Sequence, residues 1–288
     1  MSFSPDAQYP LVNSEKHGFG ADYQLPYASS ITIEAGERSN VVPGEAIAII
    51  PRILPIMEAY MERSEFGCAA EAIDESTSRI TVRGLSAHAS LPEQGRNAFF
   101  ALVHLLSKLP LPEADAKAVS SIADAFGFEC HGESFGLDKT DASGRLTLNV
   151  GVIRWDETGI RRLSIDIRAP ITMERSTIEA ALDARLNPIG LTAARTSFSK
   201  GYCVPPESEL VSKLLQVYAA RTGEPAAPLA IGGGTYARHL PNAVAFGCEI
   251  PSHEASIHMP NESISVADLM FNVRVLADAV IALGCEEA

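Results

Sequence analysis

The sequence predicts an α/β layer interrupted by an inserted α+β unit, and three observations carry that prediction. Past Tyr202, helical segments alternate with short buried-strand segments around glycines. Between Ser29 and Tyr202 the strand-like runs come mostly in pairs, separated by helices. The opening "FSPDAQYPLVNSEK" reads as a Pro-Asp turn entering a strand, as if it joined a layer already under way.

From Ser29, "SSITIEAG" and "SNVVPGEAIAII" have strand character, and "PRILPIMEAYMERS" places apolar residues at helical spacing with Pro51 near a permitted first turn. "CAAEAIDE" and "SRITVRGLS" are again strand-like. "EQGRNAFFALVHLLSKL" predicts a long amphipathic helix ended by Pro110 and Pro112. The stretch from Ala114 to Gly144 is mixed and reads as loop-rich. "RLTLNVGVIRWDETGIRRLSIDIRAPI" predicts two long strands joined by a turn around Glu157 to Gly159, with Trp155 pinning that turn. "ERSTIEAALDARLNPIG" is a helix and "TAARTSFSKGY" a closing strand. "ESELVSKLLQVYAARTG" is a capped helix ending at Gly223, "APLAIGGGTYARHLPNAVAFGCE" holds buried strands, and "SISVADLMFNVRVLADAVIALG" forms a long final helix. The two halves of the insert share similar content, but no repeat of solenoid period is present.

Composition narrows the function classes. At 288 residues, 46% hydrophobic and 20% charged, the chain has the profile of a globular protein of two domains. A formal net charge of −13 and the lack of a basic run argue against a nucleic-acid partner. No apolar run of spanning length or targeting segment is seen, so a cytoplasmic protein is expected. The five cysteines, Cys68, Cys130, Cys203, Cys248 and Cys285, show neither paired zinc-ribbon spacing nor a secreted disulfide pattern, and are expected to be reduced thiols.

The chemistry-bearing residues are open to plain readings when taken one at a time. His258 sits on a loop that opens a helix, where histidines are more often solvated than ligating. Glu262 follows it closely, and the "IGGGTYARH" loop lies upstream. Asp6 alone is a turn aspartate. His88 reads as a surface or capping residue, Arg168 as a strand cation paired with a neighbouring carboxylate, and Asn40 as an Asx-turn residue. The run Gly232, Gly233, Gly234 lacks the pattern of a phosphate loop, and close backbone approach to a substrate fits it best. His104 reads as a helix-packing residue. No cysteine in a catalytic frame is found.

Five motifs change those odds when read together and in order: "FSPDAQYPLVNSEK", "GERSNVVPGEA", "GLSAHASLPEQGRNA", "IGGGTYARHLPNAVAFG" and "IHMPNESIS". The chain thereby resembles the zinc-dependent dipeptidases of the PepV type, relatives of carnosinase and aminoacylase. The resemblance implies an α/β catalytic layer, here incomplete, over 1–26 and 199–288, and an inserted α+β lid over 27–198. It implies that Asp6 and His258 each ligate one of two zinc ions. It further implies that His88 stabilises the oxyanion from the lid, that Arg168 holds the dipeptide carboxylate, and that Asn40, Gly232, Gly233 and Gly234 contact substrate.

The family also carries a His-x-Asp motif, whose Asp bridges the metals, and a Glu-Glu pair giving the general base and a further ligand. Neither stands upstream of the Pro-Asp turn in this sequence. A catalytic zinc needs about three protein ligands, and a pair of ions needs a bridging group to hold them about 3.5–4 Å apart. The sequence is therefore expected to be a truncated portion of an intact metallodipeptidase that binds zinc weakly and hydrolyses no dipeptide itself. Its partners are expected to be a dipeptide and, through the exposed incomplete layer, a second copy; no nucleic acid or membrane is expected. The alternatives are a non-catalytic remnant that binds peptides or a partner chain, and an N-acyl amino acid deacylase of the same family.

Overall fold

A computed structural model describes all residues except 52–65, 252, 254–260 and 285–288. The strands in chain order are β1 (Ser2–Ser4), β2 (Ala7–Gln8), β3 (Val12–Glu15), β4 (His17–Pro26), β5 (Thr32–Ala35), β6 (Glu45–Pro51), β7 (Gly67–Ala72) and β8 (Thr77–Arg83). They continue as β9 (Thr140–Asp141), β10 (Gly144–Arg145), β11 (Thr147–Asp156), β12 (Gly159–Ala169), β13 (Thr192–Ser199), β14 (Tyr202–Cys203), β15 (Leu229–Ile231), β16 (Ala243–Ala245) and β17 (Cys248–Glu249). The chain divides into an outer unit, Met1–Lys16 with Ala142–Gly144 and Lys200–Ala288, and a central unit, His17–Asp141 with Arg145–Ser199. The border falls between Lys16 and His17 because β4 pairs along its length with β12 and β13.

In the central unit β11 and β12 form the expected hairpin. Gly159 closes it at φ +99°, and an added Cβ there would lie 2.3 Å from the Leu25 carbonyl oxygen. The sheet has eight strands, all paired antiparallel, in the order β13-β4-β12-β11-β5-β6-β8-β7. Strand alternation sorts its residues by face. Phe19, Ala21, Tyr23, Leu148, Val150, Ile165 and Ile167 join a core that includes residues of helices Ala98–Leu106, Glu113–Phe126 and Arg175–Leu186. The opposite parity gives polar rows across the strands: Thr147, Arg168, Gly18 and Ser199 in one, and Asn149, Asp166, Gly20 and Ser197 in the next.

Two helix expectations need correction. The run from Glu93 to Leu109 is a short 3-10 turn, Pro92–Gln94, then helix Ala98–Leu106, whose N-cap Asn97 accepts the Phe99 N–H at 3.0 Å. Seven of its nine residues are buried, so it is a core helix and not an amphipathic one. The stretch read as loop-rich contains the 14-residue helix Glu113–Phe126. Its Ala-rich face buries Ala118, Val119, Ile122 and Phe126, while buried Asp115 accepts from Tyr27 Oη at 2.9 Å, Ser29 Oγ at 2.7 Å and the Ser30 N–H at 3.0 Å. Trp155 Nε1 donates to the same Ser29 Oγ at 3.0 Å, pinning the strand end. The helix expected from "PRILPIMEAYMERS" lies outside the described residues.

In the outer unit the wholly buried β3 lies in a mixed five-stranded sheet, pairing antiparallel with β14 and β16 and parallel with β15, while β1 runs parallel to β16. A sheet of mixed direction with helices is consistent with the expected α/β layer. Helix Glu209–Thr222 begins at Ser208, whose Oγ accepts the Val211 N–H, and ends at Gly223 with φ +76°. It packs with the final helix Val266–Gly284 around Leu210, Val211, Leu214, Val275 and Ala279, and Arg221 bridges to Asp278. The final helix leaves Val266, Leu269, Met270, Val273, Val280 and Ile281 exposed. Among the described residues no helix is long and apolar enough to cross a membrane, and Cys68, Cys130, Cys203 and Cys248 are free thiols.

Candidate active-site residues

The central unit brings Asn40, His88 and Arg168 into one neighbourhood. Val41 and His88 form an antiparallel bridge, the Ala89 N–H donates to the Asn40 carbonyl at 2.9 Å, and the Val42 N–H to the Ala87 carbonyl at 2.9 Å. Two loops distant in sequence therefore share one short ladder. Thr147 Oγ1 donates to the Ala89 carbonyl at 3.0 Å, and Asn149 Nδ2 donates to the Ser39 and Val41 carbonyls at 3.0 Å. Thr147 lies directly across from Arg168 in the β11–β12 register.

His88 is exposed, and its Nδ1 accepts the Ser90 N–H at 3.2 Å with Ser90 Oγ at 2.7 Å. A lone pair on Nδ1 puts the proton of the neutral ring on Nε2, making that nitrogen a donor. Arg168 is held in the plane of Asp166, with Nε to Oδ1 at 2.7 Å and Nη2 to Oδ2 at 2.9 Å, both side chains being largely buried. Asp166 shares its face two residues earlier, so the pairing with a neighbouring carboxylate was legible from alternation alone. Gly18 lies across from Arg168 and leaves room that an added Cβ would take, 2.6 Å from Ser199 Oγ.

In the outer unit Asp6 sits in the turn between β1 and β2. Its Oδ2 accepts the Tyr236 N–H at 2.7 Å, while Oδ1 is buried and has no hydrogen-bond partner among the described residues. Burial, and then the Asp6 charge, push the Cys248 thiol up from its ordinary value. The Gly232, Gly233 and Gly234 run follows β15, and its geometry is set by residues that pattern reading passed over. Glu15 is fully buried: Oε1 accepts from the Thr235 N–H at 3.1 Å and from Thr235 Oγ1, and Oε2 pairs with Arg238 Nε at 2.8 Å. Arg238 Nη2 also donates to the Gly233 carbonyl at 3.1 Å, and an added Cβ at Gly234 would meet its guanidinium at 2.6 Å. The guanidinium thus gives one physical reason for Gly234. Glu15 and Thr235 are 220 residues apart in sequence, so no local pattern links them. His258 lies outside the described residues. Among the described residues Asp6 joins no group of three metal-ligating side chains.

Comparison with known proteins agrees with the motifs. Residues 76–193 match the family model of the M20 peptidase dimerisation domain. The Bacillus subtilis protein named "Putative dipeptidase YtjP" is 33% identical over 301 residues, covering 99% of this chain and 64% of the relative. A Staphylococcus epidermidis protein of the same description is 29% identical over 307 residues, again covering 64% of the relative. The chain thus spans a little under two thirds of these curated relatives. Among solved structures, an aminoacylhistidine dipeptidase from Vibrio alginolyticus aligns over 99% of this chain and 66% of that one, with 14% identity and a TM-score of 0.49. By motifs and relatives together, the chain is similar over its whole length to dipeptidase-type M20 metallopeptidases.

Proposed function

We infer that this chain supplies peptide-binding and oxyanion-stabilising groups of a zinc-dependent dipeptidase. The observation that carries the reading is the ladder joining Asn40 to Ala89, which seats His88 beside Asn40 and, through Thr147, beside the Arg168 row. Arg168, its plane fixed by Asp166, would hold the C-terminal carboxylate of a dipeptide. His88 would donate Nε2–H to the oxygen of the scissile carbonyl as charge develops there. The glycine run would meet the peptide backbone. Asp6 fits a cation, because its buried Oδ1 has no other partner among the described residues, and His258 is the second proposed ligand. A bound zinc supplies Lewis-acid polarisation of the scissile carbonyl.

The finer parts of the reading are proposals too. With Asp6 in no group of three ligands among the described residues, this chain alone is proposed to bind zinc weakly at Asp6 and to hydrolyse no dipeptide. Self-association is proposed, through the exposed face of helix Val266–Gly284. The test is calorimetric titration of the purified chain with dipeptides and with N-acetylated amino acids, alongside zinc analysis after dialysis. Dipeptide binding that weakens about tenfold in Arg168→Lys, with retained zinc that does not change in Asp6→Ala, is the expected result. Preference for the N-acetylated ligands would favour the deacylase reading, and tight stoichiometric zinc that is lost in Asp6→Ala would overturn the weak-site proposal.

A further inference from the structure

We propose that Glu93, Cys130 and His131 form a binding site for a zinc-like transition-metal ion within the central unit. A carboxylate oxygen, the thiol sulfur and a ring nitrogen from these three residues all lie within 4.8 Å of one another. Zinc binds oxygen, nitrogen and sulfur donors at about 2.0–2.3 Å, so tetrahedral neighbours sit roughly 3.5 Å apart and the trio must contract by about 1.3 Å at most. Glu93, exposed on the short turn Pro92–Gln94, can supply that movement. It makes no hydrogen bond or ion pair among the described residues.

The other two donors are already held. His131 Nδ1 donates to the Leu146 carbonyl at 2.8 Å, which fixes the tautomer and leaves Nε2 as the nitrogen with a lone pair to give. The Cys130 carbonyl accepts the Leu148 N–H at 2.8 Å, tying the residue to β11. Glu133 accepts the His131 N–H at 3.1 Å, and Glu129 accepts the Ser134 N–H at 2.6 Å, so the loop is braced on both sides of the pair. Arg145, a cation nearby, is committed to Asp138 through contacts of 2.7 and 2.8 Å. Glu93 and Cys130 also line a cavity of about 260 Å³ together with Asn97, Phe100 and Asn149, which gives an ion a way in.

Thiolate, imidazole and carboxylate together favour zinc or cobalt(II) over calcium or magnesium, which take all-oxygen shells. Binding would release the thiol proton to solvent and link the turn after His88 to the loop after helix Glu113–Phe126.

Cobalt(II) is the probe. The chelator-stripped chain is titrated with cobalt(II) alone while thiolate-to-cobalt charge-transfer absorption is followed, with far-ultraviolet circular dichroism checking the fold of every variant. The expected result is one saturable event with that absorption, lost in Cys130→Ser, retained in Cys68→Ser, and shifted to at least about tenfold higher cobalt in His131→Ala. Glu93→Gln, an exposed change with no expected effect on folding, weakens the same event and keeps the test open if Cys130→Ser folds poorly. Absence of the absorption in the unaltered chain, or its survival in folded Cys130→Ser, overturns the proposal. Cobalt held at Asp6 would be indifferent to Cys130, so the two metal proposals fail separately.

Discussion

Asp115 in the central unit and Glu15 in the outer unit are both almost wholly buried carboxylates, yet they are held in opposite ways. Asp115 takes three neutral donors, Tyr27 Oη, Ser29 Oγ and the Ser30 N–H. Glu15 takes a cation, Arg238, together with Thr235. Neutral donors bind a strand end to a helix that a large apolar core already secures. The ion pair does its work where the apolar cores are two small clusters and where a glycine run must keep its shape. The lesson is that the less packed unit relies on charge to fix its loop, and a buried charge is costly to leave without its partner.

That contrast can be broken by substitution. Arg238→Ala strands the Glu15 charge and is expected to destabilise the outer unit by about 3–5 kcal/mol in urea unfolding, with Glu15→Gln plus Arg238→Met recovering much of the loss. Asp115→Ala leaves three donors to find water and is expected to cost about 3 kcal/mol, registered as loss of central-unit stability. If Asp115→Ala proved the more damaging, the contrast would be reversed. The smallest effect on stability is expected for Leu269→Glu with Val273→Glu. Both positions are exposed, so stability stays within about 0.5 kcal/mol, while sedimentation shows weaker self-association. Unchanged association would point to the central unit, which matches the dimerisation-domain model.

What was legible in the sequence was local. The helix from Ser208 to Gly223 carried its own start and stop signals, and the β11–β12 hairpin its own alternation. Helix Glu113–Phe126 was missed because alanines and serines blur its apolar stripe, although the spacing of Asp115, Ala118, Val119, Ile122 and Phe126 and the terminal Gly127 were there to read. Candidate site residues were reached through a resemblance and not through spacing. The partners that set their geometry, Ser90 for His88 and Asp166 for Arg168, lie two residues away and could have been found by counting. Glu15 with Arg238 could not, because tertiary pairing across most of the chain leaves no local trace.

The same separation has a consequence for how the protein is made. Among the described residues β3 has hydrogen-bonding strands only at β14, β15 and β16, the first of which begins at Tyr202. At roughly 5–20 residues per second, a ribosome needs about 10–40 s to make the intervening chain. During that interval the eight-stranded sheet, complete by Ser199, can close on its own helices, while β3 and the apolar run Tyr9–Val12 leading into it wait for their partners. A nascent-chain chaperone that captures short apolar segments is thus expected to bind the run Tyr9–Val12 until the segments from Tyr202 onward emerge.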